Sequence, residues 1–290
     1  MIAVVVPTCR PELYEDTFLP AWQDQFQEYN VDLITVYDHQ DPKKVTLEHR
    51  GKKYPITELL PHDSDLIYNR SACIKNLGFY FVSKYLKSQY IVALDDDVTP
   101  VGDTIGDHVR ALNLQVPISW MSIGDTYTRG FPYGARKEAE VVLSHGVWDG
   151  VPDLDAPTQL VRGTHPMKFI KGVIPKNIYY PMCEMNIAFK RKMLPYMYLA
   201  PDSPEFGFGR NDDIFCGINS KRVIDKKGWA VVTGYSRVYH NRASNVFSSL
   251  KKEAKFIEIN ETYWQGDESD PYFKVYNAKR KRWEELLSED

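Results

Sequence analysis

The sequence predicts an α/β fold with a mostly parallel sheet flanked by helices, and three segments carry that prediction. Residues 2–6 (IAVVV) and 90–94 (YIVAL) are continuous apolar runs, the pattern of parallel strands that are buried on both faces. Residues 69–86 place apolar side chains at steps of three and four, which predicts a helix with Asn69 or Ser71 as its N-cap.

The remaining elements support a chain that opens with a β-α-β unit. Residues 17–29 predict a helix and residues 32–37 a strand, and such a unit needs a right-handed crossover and parallel neighbours. Further helices are predicted over residues 102–114, 193–198, 212–227, 249–263 and 276–287. Further strands are predicted over residues 118–123, 185–189 and 229–233. Residues 124–185 are rich in glycine, proline and aromatic residues and are predicted to be mainly loop.

Length and composition favour one large domain over residues 1–290. We divide it into a nucleotide-binding half (1–100), a half for the sugar or acceptor (101–250) and a C-terminal helical tail (251–290). The net charge of −3 gives no sign of nucleic-acid binding. The four cysteines are scattered, no signal peptide is recognisable, and no apolar run is long enough to span a membrane, so we expect a cytoplasmic protein.

Three consecutive carboxylates, Asp95, Asp96 and Asp97, follow the strand at 90–94. Their mutual repulsion costs stability unless a cation or hydrogen bonds relieve it. Because alternate residues of an extended segment face the same way, Asp95 and Asp97 can face one Mg²⁺ or Mn²⁺ ion. A solvated acidic turn is the alternative, and the buried strand before the run favours the metal.

Open α/β sheets bind ligands at the carboxyl ends of their strands. The first strand ends at Pro7 and Thr8 and is followed by Arg10, which could contact a phosphate, while Asp38 follows the second strand and could accept from a base or ribose. Arg70, in the first turn of the predicted helix, is a further candidate contact for the substrate. A surface arginine and a turn aspartate are the alternatives for Arg10 and Asp38.

Six blocks of the chain resemble, in the same order, those of the reversibly glycosylated polypeptides, also called UDP-arabinopyranose mutases. SHGVWDGVPDLDAPTQL (144–160) is similar to SHGLWLNIPDYDAPTQL in that family, and the DDD run is shared. TRGFPYGAR (128–136), PMCEMNIAF (181–189), GRNDD (209–213) and HNRASNVF (240–247) resemble VRGYPFSLR, PMCGMNLAF, GRYDD and HSKASNPF. The blocks extend from about residue 71 to residue 253.

The resemblance implies a GT-A type fold with a mixed, mostly parallel sheet, a UDP-sugar substrate (UDP-arabinose or another UDP-pentose or UDP-hexose) and a divalent metal. It adds His240 to Asp95 and Asp97 as a metal ligand, where a surface or core histidine is the alternative. It also implies a possible homo-oligomer.

The resemblance further implies four catalytic residues. Arg129 matches the arginine that becomes reversibly glycosylated in the family, and Arg136 matches a second required arginine. Both could neutralise a leaving diphosphate, although an exposed ion pair is the commoner fate of an arginine. Asp212 and Asp213 match an acidic pair beside the reacting sugar, and both also suit the first turn of a helix electrostatically.

Four residues of the longest block are candidates for contact with the sugar. Trp148 could stack on its ring or anchor a buried loop. Asp153, Asp155 and Gln159 could bind its hydroxyls or cap amides within the loop.

The functional hypothesis is a mutase that interconverts the pyranose and furanose forms of a UDP-pentose. A retaining glycosyltransferase is the alternative, since both reactions need the same donor site and the same leaving group. A non-enzymatic partner that only binds UDP-sugar is disfavoured, because acidic and arginine residues occupy every position that the family uses for chemistry.

Overall fold

In the computed structural model, residues 1–119, 126–202, 206–241 and 245–288 are described, and they form a mixed sheet covered by helices on both faces. The strands are β1 (Ile2–Thr8), β2 (Asp32–Tyr37), β3 (Thr46–His49), β4 (Lys52–Pro55), β5 (Tyr90–Leu94), β6 (Val98–Pro100), β7 (Gln115–Pro117), β8 (Glu138–Gly150), β9 (Gly172–Ile174), β10 (Asn186–Lys190) and β11 (Ala230–His240). The α-helices are α1 (Pro11–Leu13), α2 (Leu19–Glu28), α3 (Ile56–Leu59), α4 (Lys75–Tyr85), α5 (Thr104–Leu112), α6 (Ala156–Arg162), α7 (Asp212–Lys227), α8 (Val246–Tyr263) and α9 (Pro271–Ser288).

The principal strands run in one direction. The sheet order is β4-β3-β2-β1-β5-β10-β8-β11-β6, with β7 and β9 attached to β8 and β11. β1 is parallel to β2 and β5, and β8 is parallel to β11. β10 is antiparallel to both β5 and β8, so β1, β2, β5, β8 and β11 share one direction and their carboxyl ends meet at one edge. The predicted α/β class and mixed sheet flanked by helices are confirmed.

Both faces of the sheet are buried, as the apolar runs require. Alternate residues of β1 enter different cores: Ala3 and Val5 pack in the core that contains α4 and α7 to α9, while Val4 and Val6 pack in the core that contains α2 and α5. The C-terminal helices are part of the first core, where Trp283 of α9 is buried and donates from Nε1 to the carbonyl of Leu194.

Most predicted elements are present with shifted ends. The helix expected at 17–29 begins earlier, at Pro11, and passes through a π-helical turn before α2. α4 begins at Lys75, directly after a 3₁₀ turn at Ala72–Ile74. Ser71 occupies the N-cap of that turn without a capping side-chain bond, whereas the other predicted cap is wrong, since the amide of Asn69 donates to the carbonyls of His39 and Gln40. The left-handed Gly228 ends α7 as predicted.

The loop prediction for 124–185 is wrong over β8, which has 13 residues and is the longest strand of the described chain. Its buried polar side chains conceal the strand pattern. Ser144, for example, is bonded to the buried His108, which also bonds Asn186. The strand predicted at 118–123 lies largely outside the described residues.

A close helix–sheet contact gives a test of the first core. α4 rests on β1 through Gly78, where a Cβ atom would lie 2.4 Å from Val5 Cγ1. We expect Gly78→Ala to lower the free energy of unfolding by about 1–2 kcal/mol, because overpacking exceeds the gain in helix propensity. Urea unfolding measures this, with Gly134→Ala as the control, since no atom lies within 4 Å of its Cβ position. Equal stability of the two variants would contradict the packing argument.

Candidate functional site

A cavity of about 1020 Å³ opens at the edge where the principal strands end. Asp95 and Asp97, which follow β5, and His240, the last residue of β11, line it. The opposite wall comes from the segment 167–175, and the floor comes from residues 182–185 and the first turn of α7. Its size is sufficient for a nucleotide-sized ligand.

The acidic run divides between two directions. Asp95 and Asp97 face the cavity, whereas Asp96 is buried beneath β1 and does not line it. Thr8 Oγ1 donates to Asp96 at 2.6 Å, and the Arg10 guanidinium donates to Asp96 and, at 3.1 Å, to Asp97. Burial and the charge of Asp95 raise the pKa of Asp97 despite the opposing effect of Arg10. Asp95 and Asp97 therefore face the same side, but Asp96 and Asp97 form a turn between β5 and β6 and not the extended segment that was expected. Arg10 compensates the charge of the run from outside the cavity.

His240 is oriented by the backbone at the end of β8. Its Nδ1 lies 2.9 Å from the carbonyl oxygen of Val151, which can only accept, so Nδ1 carries the proton and Nε2 presents a lone pair. Gly150, with φ +84°, permits this approach, because a Cβ atom there would lie 2.3 Å from the His240 carbonyl oxygen. His240 also pairs with Val98, directly after the acidic run.

Lys75 is a buried cation at the base of the acidic run. Its Nζ donates to Asp95 Oδ1 at 2.6 Å and to the Glu184 carbonyl at 3.2 Å, and it lies 3.4 Å from Glu184 Oε1. Burial alone would lower the pKa of Lys75, but Asp95 and Glu184 raise it overall. Burial raises the pKa of Glu184 well above its usual range, although Lys75 opposes this.

A second group, of two aspartates and a cysteine, lines the same cavity. Among the described residues, Asp153, Cys183 and Asp213 have potential metal-ligating atoms within 4.8 Å of one another, a closeness that Asp95, Asp97 and His240 do not reach. Cys183 Sγ donates to Asp153 at 3.0 Å, and burial followed by Asp153 holds the pKa of this thiol well above its usual range.

Arg210 compensates the negative charge of this second group. Its guanidinium lies 3.5 Å from Asp153 and 2.6 Å from the buried Glu253. Glu253 in turn accepts from the backbone of Ala156 at 2.7 Å. The arginine is therefore fixed from behind while it faces the cavity.

The two aspartates at the start of α7, Asp212 and Asp213, have different contacts. Asp212 accepts from the backbone amides of Ala72 and Asp213, and burial raises its pKa to about 6. Burial and the charge of Asp212 raise the pKa of Asp213 well above its usual range. Both line the cavity at the N-terminus of a helix, so the two roles considered for them are compatible in this geometry.

The longest sequence block is also divided. Trp148 and Asp153 line the cavity, and the Trp148 ring meets Phe169 edge to face. Asp155 reaches the rim but caps α6 by accepting from Thr158. Gln159 does not line the cavity, and its amide donates to the carbonyl of Leu154.

Seven further predicted site residues lie outside the cavity. Arg129 is exposed, and Arg136 stacks on Tyr133 and donates to the carbonyl of Phe131. Asp38 accepts from the backbone amide of Arg70, whose side chain is exposed. Pro7 and Thr8 belong to the end of β1 behind the acidic run, and Arg10 follows as the N-cap residue of α1.

Four residues that were not predicted from the sequence also line the cavity: Lys75, Cys183, Glu184 and Arg210. The resemblance contained a signal for two of them, since Cys183 and Arg210 match the family blocks PMCGMNLAF and GRYDD, but not for Glu184, which stands where the family block has glycine. Lys75 had none, since a lysine in an amphipathic helix is usually solvated.

The contacts of Lys75 predict a stability difference. We expect Lys75→Met to lower the free energy of unfolding by about 3 kcal/mol, because the buried Glu184 carboxylate would lose its compensating charge. Adding Glu184→Gln should restore part of this loss. Lys221→Met is the control in urea unfolding: it removes another buried lysine, but Asp225 keeps a hydrogen bond from the backbone of Asn177. A larger loss in Lys221→Met than in Lys75→Met would contradict the assignment.

Comparison with known proteins agrees with the sequence blocks. The model of the reversibly glycosylated polypeptide family matches residues 1–274. UDP-arabinopyranose mutase 3 of Arabidopsis thaliana is 34% identical, over 93% of this chain and 77% of the relative. A probable UDP-arabinopyranose mutase 1 of Pisum sativum is also 34% identical, over 94% of this chain and 77% of the relative.

A solved structure of a Drosophila β-1,4-galactosyltransferase 7 mutant with manganese, UDP-Gal and xylobiose is 14% identical and covers 83% of this chain and 71% of its own, with a TM-score of 0.38. A superposition this loose carries no argument. No helix of the described chain is long and apolar enough to cross a membrane. On the family match and the identity to the plant relatives, the chain belongs to the reversibly glycosylated polypeptide family.

Proposed function

We propose that the protein is a UDP-arabinopyranose mutase-like enzyme that interconverts the pyranose and furanose forms of a UDP-pentose. The observation that carries the proposal is the convergence of Asp95, Asp97 and His240 on one cavity at the carboxyl edge of the sheet, in a chain of this family. Relatives that share about a third of the sequence are named for the same reaction.

The chemistry of the donor set suits a divalent cation, whose binding would draw the three side chains closer together than they lie in this structure. Asp95 and Asp97 offer carboxylate oxygens to the cavity, and the tautomer of His240 offers Nε2. The Val151 carbonyl that orients the imidazole is the kind of outer contact that metal-ligating histidines need. Oxygen ligands with one imidazole suit Mn²⁺ or Mg²⁺. Bound there, the cation would neutralise the diphosphate of the UDP-sugar.

Ring contraction is an isomerisation, so its atoms balance without a co-reactant. The bond between the anomeric carbon and the β-phosphate oxygen breaks with its electron pair on UDP, and it is later remade. In between, the oxygen on C4 forms a bond to the anomeric carbon and the bond from that carbon to the oxygen on C5 breaks. A proton moves from the C4 oxygen to the C5 oxygen. The site must therefore hold both the electron-deficient glycosyl group and UDP between the two steps and must keep water away from the anomeric carbon.

The floor of the cavity suits the sugar end of such a substrate. We assign Asp213 and Asp153 to its hydroxyls, and Trp148 to the wall against which the ring rests. Arg210 faces the same space and provides a fixed cation for the departing phosphate. The nucleotide would lie toward β1 and β2, with Arg10 behind the acidic run and with Asp38 and Arg70 beyond the cavity lining, so we keep the division into a nucleotide half (1–100) and a sugar half (101–250) as part of the proposal.

Arg129 and Arg136 remain proposed catalytic residues on the family resemblance alone. In this structure, Arg129 is exposed and neither arginine lines the cavity. A role for Arg129 therefore requires its loop to approach the floor when the substrate binds. Asp155 is better explained as a helix cap, and Gln159 as a contact within the loop.

The reaction itself is tested with the pure protein, UDP-arabinopyranose and Mn²⁺. We expect chromatography to resolve a furanose nucleotide product, and Arg129→Ala to slow its formation by about a hundredfold or more if the arginine holds the departing phosphate. Lys137→Ala, an exposed cation of the same loop, is the control and should retain the wild-type rate. Wild-type turnover in Arg129→Ala would exclude the arginine. Glycosylation of an added acceptor without any furanose product would favour the retaining glycosyltransferase.

The proposed metal ligands are tested by calorimetry of UDP binding with and without Mn²⁺. In wild-type protein, UDP affinity should depend on the cation. Asp97→Ala should abolish that dependence, because the diphosphate and the remaining carboxylates would then repel one another. Asp149→Ala, a carboxylate paired with Arg237 outside the cavity, is the control. Unchanged cation dependence in Asp97→Ala would exclude this metal site.

A further inference from the structure

Lys75 stands between two carboxylates but is hydrogen-bonded to one of them. Its Nζ donates to Asp95 Oδ1 at 2.6 Å, whereas Glu184 Oε1 lies 3.4 Å away without a hydrogen bond. The lysine is almost completely buried, and its second hydrogen bond goes to the Glu184 carbonyl at 3.2 Å. The ammonium group is therefore tethered at a point from which it can reach either side chain.

The bond to Asp95 conflicts with the proposed cation site. A lone pair that accepts from an ammonium group at 2.6 Å is not free for a metal, and two positive charges at one carboxylate repel each other. A cation can therefore have both carboxylate oxygens and the whole charge of Asp95 only when Lys75 turns away from Oδ1. Because Lys75 is fully buried, its ammonium group cannot turn out into water. Any new position within the protein must therefore also offer it a compensating charge.

Glu184 offers the place to which Lys75 can turn. Both of its carboxylate oxygens are buried, and neither has a hydrogen-bond partner among the described residues. A buried acceptor without a donor is costly, so its presence calls for an explanation. Glu184 precedes β10, which lies next to β5 in the sheet, so its backbone is held beside the strand that presents Asp95.

We propose that Glu184 is a positioning residue that receives Lys75 when a divalent cation binds at Asp95. In the structure, Lys75 neutralises Asp95 and holds it in place. On cation binding, the ammonium group turns by the short distance to Glu184, which gains the hydrogen bond it lacks, and Asp95 becomes a ligand. This inference rests on the proposed metal site and adds the pair that opens it.

A double-mutant cycle on Mn²⁺ affinity, measured by calorimetry at saturating UDP, tests the exchange. Glu184→Gln should weaken Mn²⁺ binding by about tenfold, since Lys75 then lacks an anion to receive it. In the Lys75→Met background, the same Glu184→Gln change should have almost no effect, because no lysine remains to be moved. If Glu184 acted on the cation only through its own charge, the weakening would persist without the lysine.

The controls separate this inference from loss of structure and from failure of the metal site. Asp225→Asn alters another buried lysine–carboxylate pair and should leave Mn²⁺ affinity unchanged. Melting temperatures of all variants exclude unfolding, and a crystal structure with Mn²⁺ and UDP should show the Lys75 ammonium bonded to Glu184 and not to Asp95. Equal weakening by Glu184→Gln in both backgrounds, or a Lys75–Asp95 bond in the complex, overturns the exchange while leaving the metal site intact. Absence of any Mn²⁺ binding in wild-type protein overturns both.

Discussion

The constraint on which the site depends is the repulsion among carboxylates at one edge of the sheet. Asp95, Asp96 and Asp97 are consecutive, and the cavity brings a second acidic group opposite them. Such a concentration of negative charge cannot be buried without cations or donors. The surrounding structure supplies them from three directions through Arg10, Lys75 and Arg210.

The sheet fixes where these charges meet. Because β1, β5, β8 and β11 share one direction, residues that are far apart in sequence end at the same edge. The antiparallel β10 enters from this edge, and the residues just before it, Cys183 and Glu184, therefore lie beneath the acidic run. A fully parallel sheet would have no strand beginning here, so the one reversed central strand gives the cavity its floor.

The edge of the sheet could be predicted from sequence, whereas the compensating contacts could not. Asp95 and Asp97 follow β5, whose end is visible as the limit of an apolar run. His240 ends β11 well beyond the strand predicted at 229–233, so only the family resemblance marked it. Lys75 could not be recognised, because its partners are separated from it by 20 and 109 residues and nothing in a helical pattern marks a buried lysine. The same limit explains the failure over β8, where Ser144 is satisfied by a histidine 36 residues away.

Two aspartates of one sequence block have different contacts, and their spacing in the sequence does not show this. Asp153 faces the cavity, and Asp155, two residues later, caps a helix. Either carboxylate could have had either role, since the direction of the loop between them is set by its packing. The family resemblance marks the whole block, but the backbone decides which of its side chains reach the cavity.

The three positively charged side chains differ in how firmly their partners hold them. Arg10 lies behind the run and donates to two carboxylates, one of which is also held by Thr8. Arg210 is fixed by Glu253, which is itself bound to the backbone. Lys75 differs because a second carboxylate lies within reach of the one it already holds. A cation that bound at Asp95 would therefore meet a compensating charge that can change partner without leaving the protein interior, so its entry would not require the two arginines to be rearranged.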